Sequence, residues 1–150
     1  MPRWKRCIAS ADSELGEALG RMFVEKTFGE QGKRRTLELV AGIEREMAAD
    51  INSLTWMSDA TKKQALEKLH GATHKIGYPD KWLDYSSIPI HANDYFGNTN
   101  RTREFTFERD VKKIGKPVDR SEWQMSPPTV NAYYDPQENN LNFPAGILQP

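Results

Sequence analysis

Apolar residues recur through the first half of the chain at the spacing of amphipathic helices. Between Ala11 and Phe28, Leu15, Ala18, Leu19, Met22 and Phe23 fall at i, i+3, i+4, i+7 and i+8, one stripe of a 3.6-residue period. Asp12 or Ser13 can cap the start of this helix, and Gly29 and Gly32 break the pattern after it. A longer second helix is predicted from Lys33 to Leu54. It carries Leu37, Val40, Ile43, Met47, Ile51 and Leu54 on one face and Glu38, Glu44, Arg45 and Asp50 on the other. Ser58 or Asp59 supplies an N-cap for a third helix from Ala60 to Thr73, which would bury Ala65, Leu66, Leu69 and Ala72.

Gly77-Tyr78-Pro79 ends the helical run, because glycine and proline both interrupt helix continuation. Trp82 to Ile90 reads as an irregular connection. His91 to Ile114 is predicted as a fourth helix, packing through Tyr95, Phe96, Phe105, Phe107 and Val111, with Gly97-Asn98-Thr99 weakening its start. Gly115-Lys116-Pro117 is a break, and the pattern then changes to period two. Thr129 to Tyr134 alternates, as does Leu141 to Phe143, and the turn-rich Asp135 to Asn140 between them predicts a hairpin with a six-residue loop. The fold class expected is mainly α with a small C-terminal β-hairpin, divided near Gly115 into residues 1–114 and 115–150.

Composition narrows the function classes. The 150 residues suit one domain, and 21 basic against 21 acidic residues leave no net charge. A nucleic-acid binder would carry a basic excess to neutralise phosphates, and a polybasic membrane-surface protein would too. No apolar run approaches the roughly 20 residues that a membrane helix needs. Cys7 is the single cysteine, so internal disulfides and cysteine-rich zinc modules are excluded.

Few side chains stand out as chemistry. Pro127 and Pro128 lack amide hydrogens, so the following strand lies at a sheet edge or has just entered the sheet, and an edge is where an extended peptide can add itself. Asn131 on that strand has both a donor and an acceptor with which to hold a peptide group. On local pattern alone a turn or loop cap remains the favoured reading for it, since Asn is enriched in turns. His70 and His74 stand at i and i+4 on the predicted third helix, with Glu67 a turn earlier, which is a zinc-like spacing. Gly71 occupies the position where a peptidase would need its glutamate base, so the two histidines read as helix-terminal residues and not as ligands. Cys7 has no nearby histidine to activate it. Asp119, Arg120 and Glu122 read as a solvated turn, and the scattered Trp4, Trp56, Trp82 and Trp123 as core anchors.

The end of the chain carries a more specific signal. Val130-Asn131-Ala132-Tyr133-Tyr134, then Asn139-Asn140, then Phe143-Pro144-Ala145-Gly146-Ile147-Leu148-Gln149-Pro150 resemble the neprilysin and endothelin-converting-enzyme family of zinc metallopeptidases. Upstream words agree in order: Trp4-Lys5-Arg6-Cys7, Ala18-Leu19-Gly20, Leu54-Thr55-Trp56-Met57, Ile76-Gly77-Tyr78-Pro79 and Gly115-Lys116-Pro117-Val118-Asp119-Arg120. The last of these is most similar to the bacterial branch.

The resemblance implies that residues 1–114 belong to a helical covering domain and that 115–150 begin the catalytic domain. It implies that Asn131 and Ala132 bind the substrate backbone on an edge strand, which reverses the local reading of Asn131. The parent would be a zinc endopeptidase of short peptides, exported or anchored outside the cytoplasm. The family's H-E-x-x-H helix, its third ligand and its later catalytic residues have no counterpart among these 150 residues. The chain is therefore expected to be an internal fragment that holds no metal of its own, is inert alone, and depends on a C-terminal catalytic region. Cys7, whose counterpart in secreted animal members pairs with an upstream cysteine, would be unpaired or buried. Apolar faces left uncovered would favour self-association. The alternative is a non-catalytic helical binding or assembly module on the same scaffold.

Overall fold

The structure, a computed structural model, describes residues 1–149. Pro150, the last residue of the Gly-Ile-Leu-Gln-Pro word, lies outside the described residues. The order of elements is α1 (Arg3–Thr27), α2 (Gly29–Ser53), α3 (Asp59–His70), β1 (Thr73–Gly77), α4 (Tyr95–Val111), β2 (Tyr133–Asp135) and β3 (Asn140–Pro144), then a 3₁₀ turn at Ala145–Leu148. This is the mainly helical fold with a small β part that the sequence predicts.

The helices differ from expectation at their ends. α1 starts at Arg3, eight positions before Ala11, and Leu15 breaks it with non-helical dihedrals just before Gly16. Asp12 and Ser13 therefore lie within α1 and do not cap it. α3 begins as predicted, with the Ser58 hydroxyl accepting from Thr61 N–H. It ends at His70, earlier than Thr73: Gly71 N–H makes the last i→i−4 bond, to Glu67 O, and Ala72 N–H then closes a tighter turn onto Leu69 O. α4 is shorter than His91–Ile114, since the Asp94 carboxylate accepts from Gly97 N–H at 2.9 Å and fixes the first turn there. Of its predicted packing residues, Tyr95, Phe96, Phe107 and Val111 are exposed, and Phe105 alone meets an aromatic partner, Tyr85, at 5.8 Å.

The largest departure is β1. Residues read as the end of α3 form a strand that pairs in parallel with β3, from Thr73↔Asn140 to Gly77↔Pro144. β2 pairs antiparallel on the other side of β3, so the sheet order is β1-β3-β2. The sheet thus joins residues from both sides of Gly115. Asp135 and Asn140 pair with each other, which shortens the hairpin loop to Pro136–Asn139, with Asn139 at φ 50°.

The core gathers around this sheet. Ile76, Pro127, Asn140, Asn142 and Pro144 are fully buried, and Ala145 is sealed beneath them. α1 and α4 are joined by the buried Thr102, whose hydroxyl donates to Glu14. The junction of α1 and α2 docks on the end of β1. There the Phe28 ring lies edge-on to Tyr78, Tyr78 stacks on Trp82 at 5.8 Å, and Lys33 Nζ sits 4.4 Å above Tyr78. Gly77, at φ 77°, is the residue against which the Phe28 ring rests. Much of the predicted apolar face of α2 has no cover: Leu37, Ile43 and Met47 are exposed. Trp4 and Trp56 are also exposed, so they do not anchor the core; Trp82 and Trp123 are half-buried.

Candidate functional site

The segment leading to Asn131 is built by a turn and a buried proline. Thr129 N–H donates to Ser126 O at 3.0 Å, and the two hydroxyls of Ser126 and Thr129 stand 3.0 Å apart. Pro127 between them is buried, and its carbonyl accepts from Gly146 N–H at 2.8 Å. The chain then emerges at Val130, which is 76% exposed, and Asn131 is exposed too. Asn131 Oδ1 accepts from Ala132 N–H at 2.8 Å. No partner holds its Nδ2 among the described residues.

Asn131 lies just outside the strand that the alternation from Thr129 predicts, because β2 begins at Tyr133. The register explains the difference. Continuing Tyr133↔Asn142 outward would set Asn131 opposite Pro144, which has no N–H to give to a ladder. Among the described residues β2 is nevertheless an edge strand, paired only to β3, and one side of its backbone has no strand partner there. Ala132 is half-buried behind Asn131. Tyr133 is anchored by its hydroxyl, which accepts from Gln124 N–H at 3.1 Å. Burial raises the Tyr133 pKa above the usual phenol range, and the Gln124 amide offsets part of that. Gln124 Nε2 also donates to Asp135 Oδ2 at 3.1 Å, so one residue holds both ends of β2.

Beneath β3 lies a polar network that the sequence reading missed. Cross-strand partners share a face, so Lys75, Asn140 and Asn142 stand together. Lys75 Nζ donates to Glu122 O at 2.7 Å and to Glu138 Oε2 at 3.3 Å. Glu138 accepts from Asn140 Nδ2, and Asn140 Oδ1 accepts from Asn142 Nδ2. The signal available in the sequence is the alternation of Asn140 and Asn142 within an otherwise apolar strand. Glu122 is no free surface charge: its carboxylate takes Arg109 Nη2 and Lys113 Nζ, each at 2.6 Å, which ties this segment to α4. An open cleft of about 960 Å³ runs beside the network, between Trp82, Leu83, Lys116 and Trp123.

The other sequence candidates are dispersed. His70 ends α3 and is exposed, whereas His74 lies on β1, so the two do not share a helix face. His74 Nε2 is 2.8 Å from Glu44 Oε1 of α2, and its Nδ1 is buried without a partner. Cys7 is exposed on α1. Among the described residues no three His, Cys, Asp or Glu side chains are grouped to hold a metal ion, and no helix is long and apolar enough to cross a membrane.

Comparison with known proteins places these features. The N-terminal model of peptidase family M13 matches residues 1–79, more than half of the chain. The chain belongs to peptidase family M13. Among M13-type relatives, endothelin-converting enzyme 1 of Homo sapiens is 38% identical over 156 residues, covering 99% of this chain and 20% of that protein. Neprilysin-3 of Drosophila melanogaster is 33% identical over 153 residues, covering 97% and 20%. The open state of the Mycobacterium tuberculosis zinc metalloprotease Zmp1 superposes with a TM-score of 0.91 at 41% identity, over 100% of this chain and 23% of that one. The chain thus spans about one fifth of the length of the curated relatives it matches. The residues described do not fit a zinc centre: His74 is engaged by Glu44, His70 lies on a different element, and no group of three ligand side chains forms among them.

Proposed function

We propose that this chain is the central segment of an M13 zinc metalloendopeptidase that cleaves short peptides, and that its β2 edge binds the substrate backbone. The observation that carries this reading is Asn131, exposed at the mouth of a strand whose outer edge is unpaired. Its Oδ1 is occupied by the Ala132 N–H, so Nδ2 is the group left to donate to a substrate carbonyl. Ala132 would offer its carbonyl to a substrate N–H, and its small side chain lets the peptide approach. In this reading residues 1–114 belong to the helical cover that restricts substrate size, and residues 115–150 begin the catalytic part, with β1 bonding the two. Zinc, its ligands and the general base come from elsewhere in the parent enzyme, so the isolated chain is inert. The location is extracytoplasmic, a reading supported by relatives such as the membrane metallo-endopeptidase-like 1 of Mus musculus.

Asn131→Ala in the full-length enzyme tests the site. Losing one or two neutral hydrogen bonds removes about 1–2 kcal/mol, a fall of roughly 5- to 30-fold in kcat/KM. An unchanged kcat/KM on a fluorogenic peptide refutes the assignment of Asn131. Chelator-sensitive cleavage by the pure 150-residue chain refutes its inertness.

A further inference from the structure

We propose that Gly20 of α1 is a positioning residue for substrate binding, acting through Pro127 on the segment that presents Asn131. This rests on the reading of Asn131 given above. Three glycines, two on α1 and one at the far end of the chain, close on the turn Ser126–Thr129. A methyl group at Gly20 would stand 2.5 Å from Pro127 Cδ and 2.7 Å from its Cγ. One turn earlier, a methyl at Gly16 would stand 3.0 Å from Ser126 Cβ. From the other side, a methyl at Gly146 would collide with Pro128 O and stand 2.7 Å from Thr129 O. Gly20 is buried, and so is Pro127.

The consequence is mechanical. The proline ring sits directly on the helix backbone, and the Gly146 N–H holds the Pro127 carbonyl from the opposite face. The Thr129–Ser126 turn then leaves the chain little freedom before Val130 and Asn131. Among the described residues no hydrogen bond joins Asn131 to α1, so the contact of Pro127 with Gly20 is the link that places this segment against the helix. A helix interior favours Ala over Gly, so propensity alone would make Gly20→Ala stabilising. Packing alone sets the opposite sign, since protein interiors have no slack to absorb a carbon at 2.5 Å.

The test uses the full-length enzyme and a fluorogenic peptide. Gly20→Ala is expected to lower kcat/KM by about ten- to a hundredfold, mostly through KM, because a displaced binding edge weakens ground and transition states alike. Gly20→Ala combined with Pro127→Ala, which removes the Cγ and Cδ atoms in the way, should recover most of the loss. Gly42→Ala on α2, where a methyl meets only Arg45 Nη2 at 3.8 Å, is the control expected to leave both constants unchanged. Should Gly20→Ala fail to fold, Gly16→Ala presses on the same turn more gently, through Ser126, with Ser126→Gly as its rescue. KM within twofold of wild type in the folded glycine variants, or a loss confined to kcat, or no rescue, overturns the proposal. Asn131→Ala, measured alongside, separates the two readings. If it lowers kcat/KM and the glycine variants do not, the Gly20 contact alone is refuted; if it leaves kcat/KM unmoved, the reading of Asn131 falls and this proposal with it.

Discussion

Replacing Lys75 by Met removes one ammonium from beneath the sheet and keeps the length of the side chain. The Lys75 side chain is 11% exposed and that of Glu138 18%, so neither charge is well hydrated. The substitution deletes the hydrogen bond to Glu122 O and the ion pair to Glu138. It leaves a nearly buried carboxylate whose remaining side-chain partner is the Asn140 amide. Breaking a buried pair costs about 3–5 kcal/mol, and a lost charged hydrogen bond about 1.5–3 kcal/mol. Because Asn140 still satisfies Glu138, we expect about 2–3 kcal/mol, which lowers Tm by roughly 5–10 °C in a chain of this size. Urea unfolding followed by tryptophan fluorescence reads the change, and Trp123 borders the network. Adding Glu138→Gln removes the orphaned charge but keeps an acceptor for Asn140, so the double variant should regain about 1 kcal/mol. The Glu122 bond stays broken, so recovery is partial. A single variant within 0.5 kcal/mol of wild type (about the scatter of surface substitutions), or a double variant no better than the single, refutes the account of a buried charge pair.

Two further outcomes are expected. The Asp94 carboxylate is held below the usual range first by the Gly97 N–H and then by Arg101, so its support of α4 is present above the unfolded carboxylate pKa and is lost as pH falls through the lower folded value. The protection factor of the Gly97 amide should therefore hold through the usual carboxylate range and fall only below it; protection lost near neutrality contradicts this. Titration of the chain with zinc in a calorimeter should give no tight binding, because His70 and His74 lie on different elements and Glu44 already occupies His74; a micromolar site abolished by His74→Ala would show otherwise.

Periodicity made the helices legible, because a 3.6-residue stripe is a local property. Their ends were less so. The start of α1 is a basic stretch around Trp4 with no apolar rhythm, and residues 1–9 stay exposed, so no buried stripe marks it. β1 was hidden for a different reason. Thr73–Gly77 is five residues long and follows a helix directly, and its partner is β3, far along the chain, so nothing nearby marks it as a strand. That single omission put His74 on a helix. Pro127 and Pro128 did reveal an edge, but the extent of β2 depends on Pro144, which lies on the partner strand. Asn131 was ambiguous by its own neighbours, and only the longer order of motifs singled it out. The Lys75–Glu138–Asn140–Asn142 network was invisible because its members come together only when β1 meets β3.

The parallel pairing of β1 with β3 also sets a timetable for synthesis. Thr73 leaves the ribosome well before Asn140, and the whole of α4 is made between them. Until the later strand emerges, β1 has no ladder partner and Lys75 no carboxylate, while the helices before it can form from contacts already at hand. A nascent chain stalled anywhere short of Asn140 thus carries an unpaired strand, open to chaperones or to aggregation.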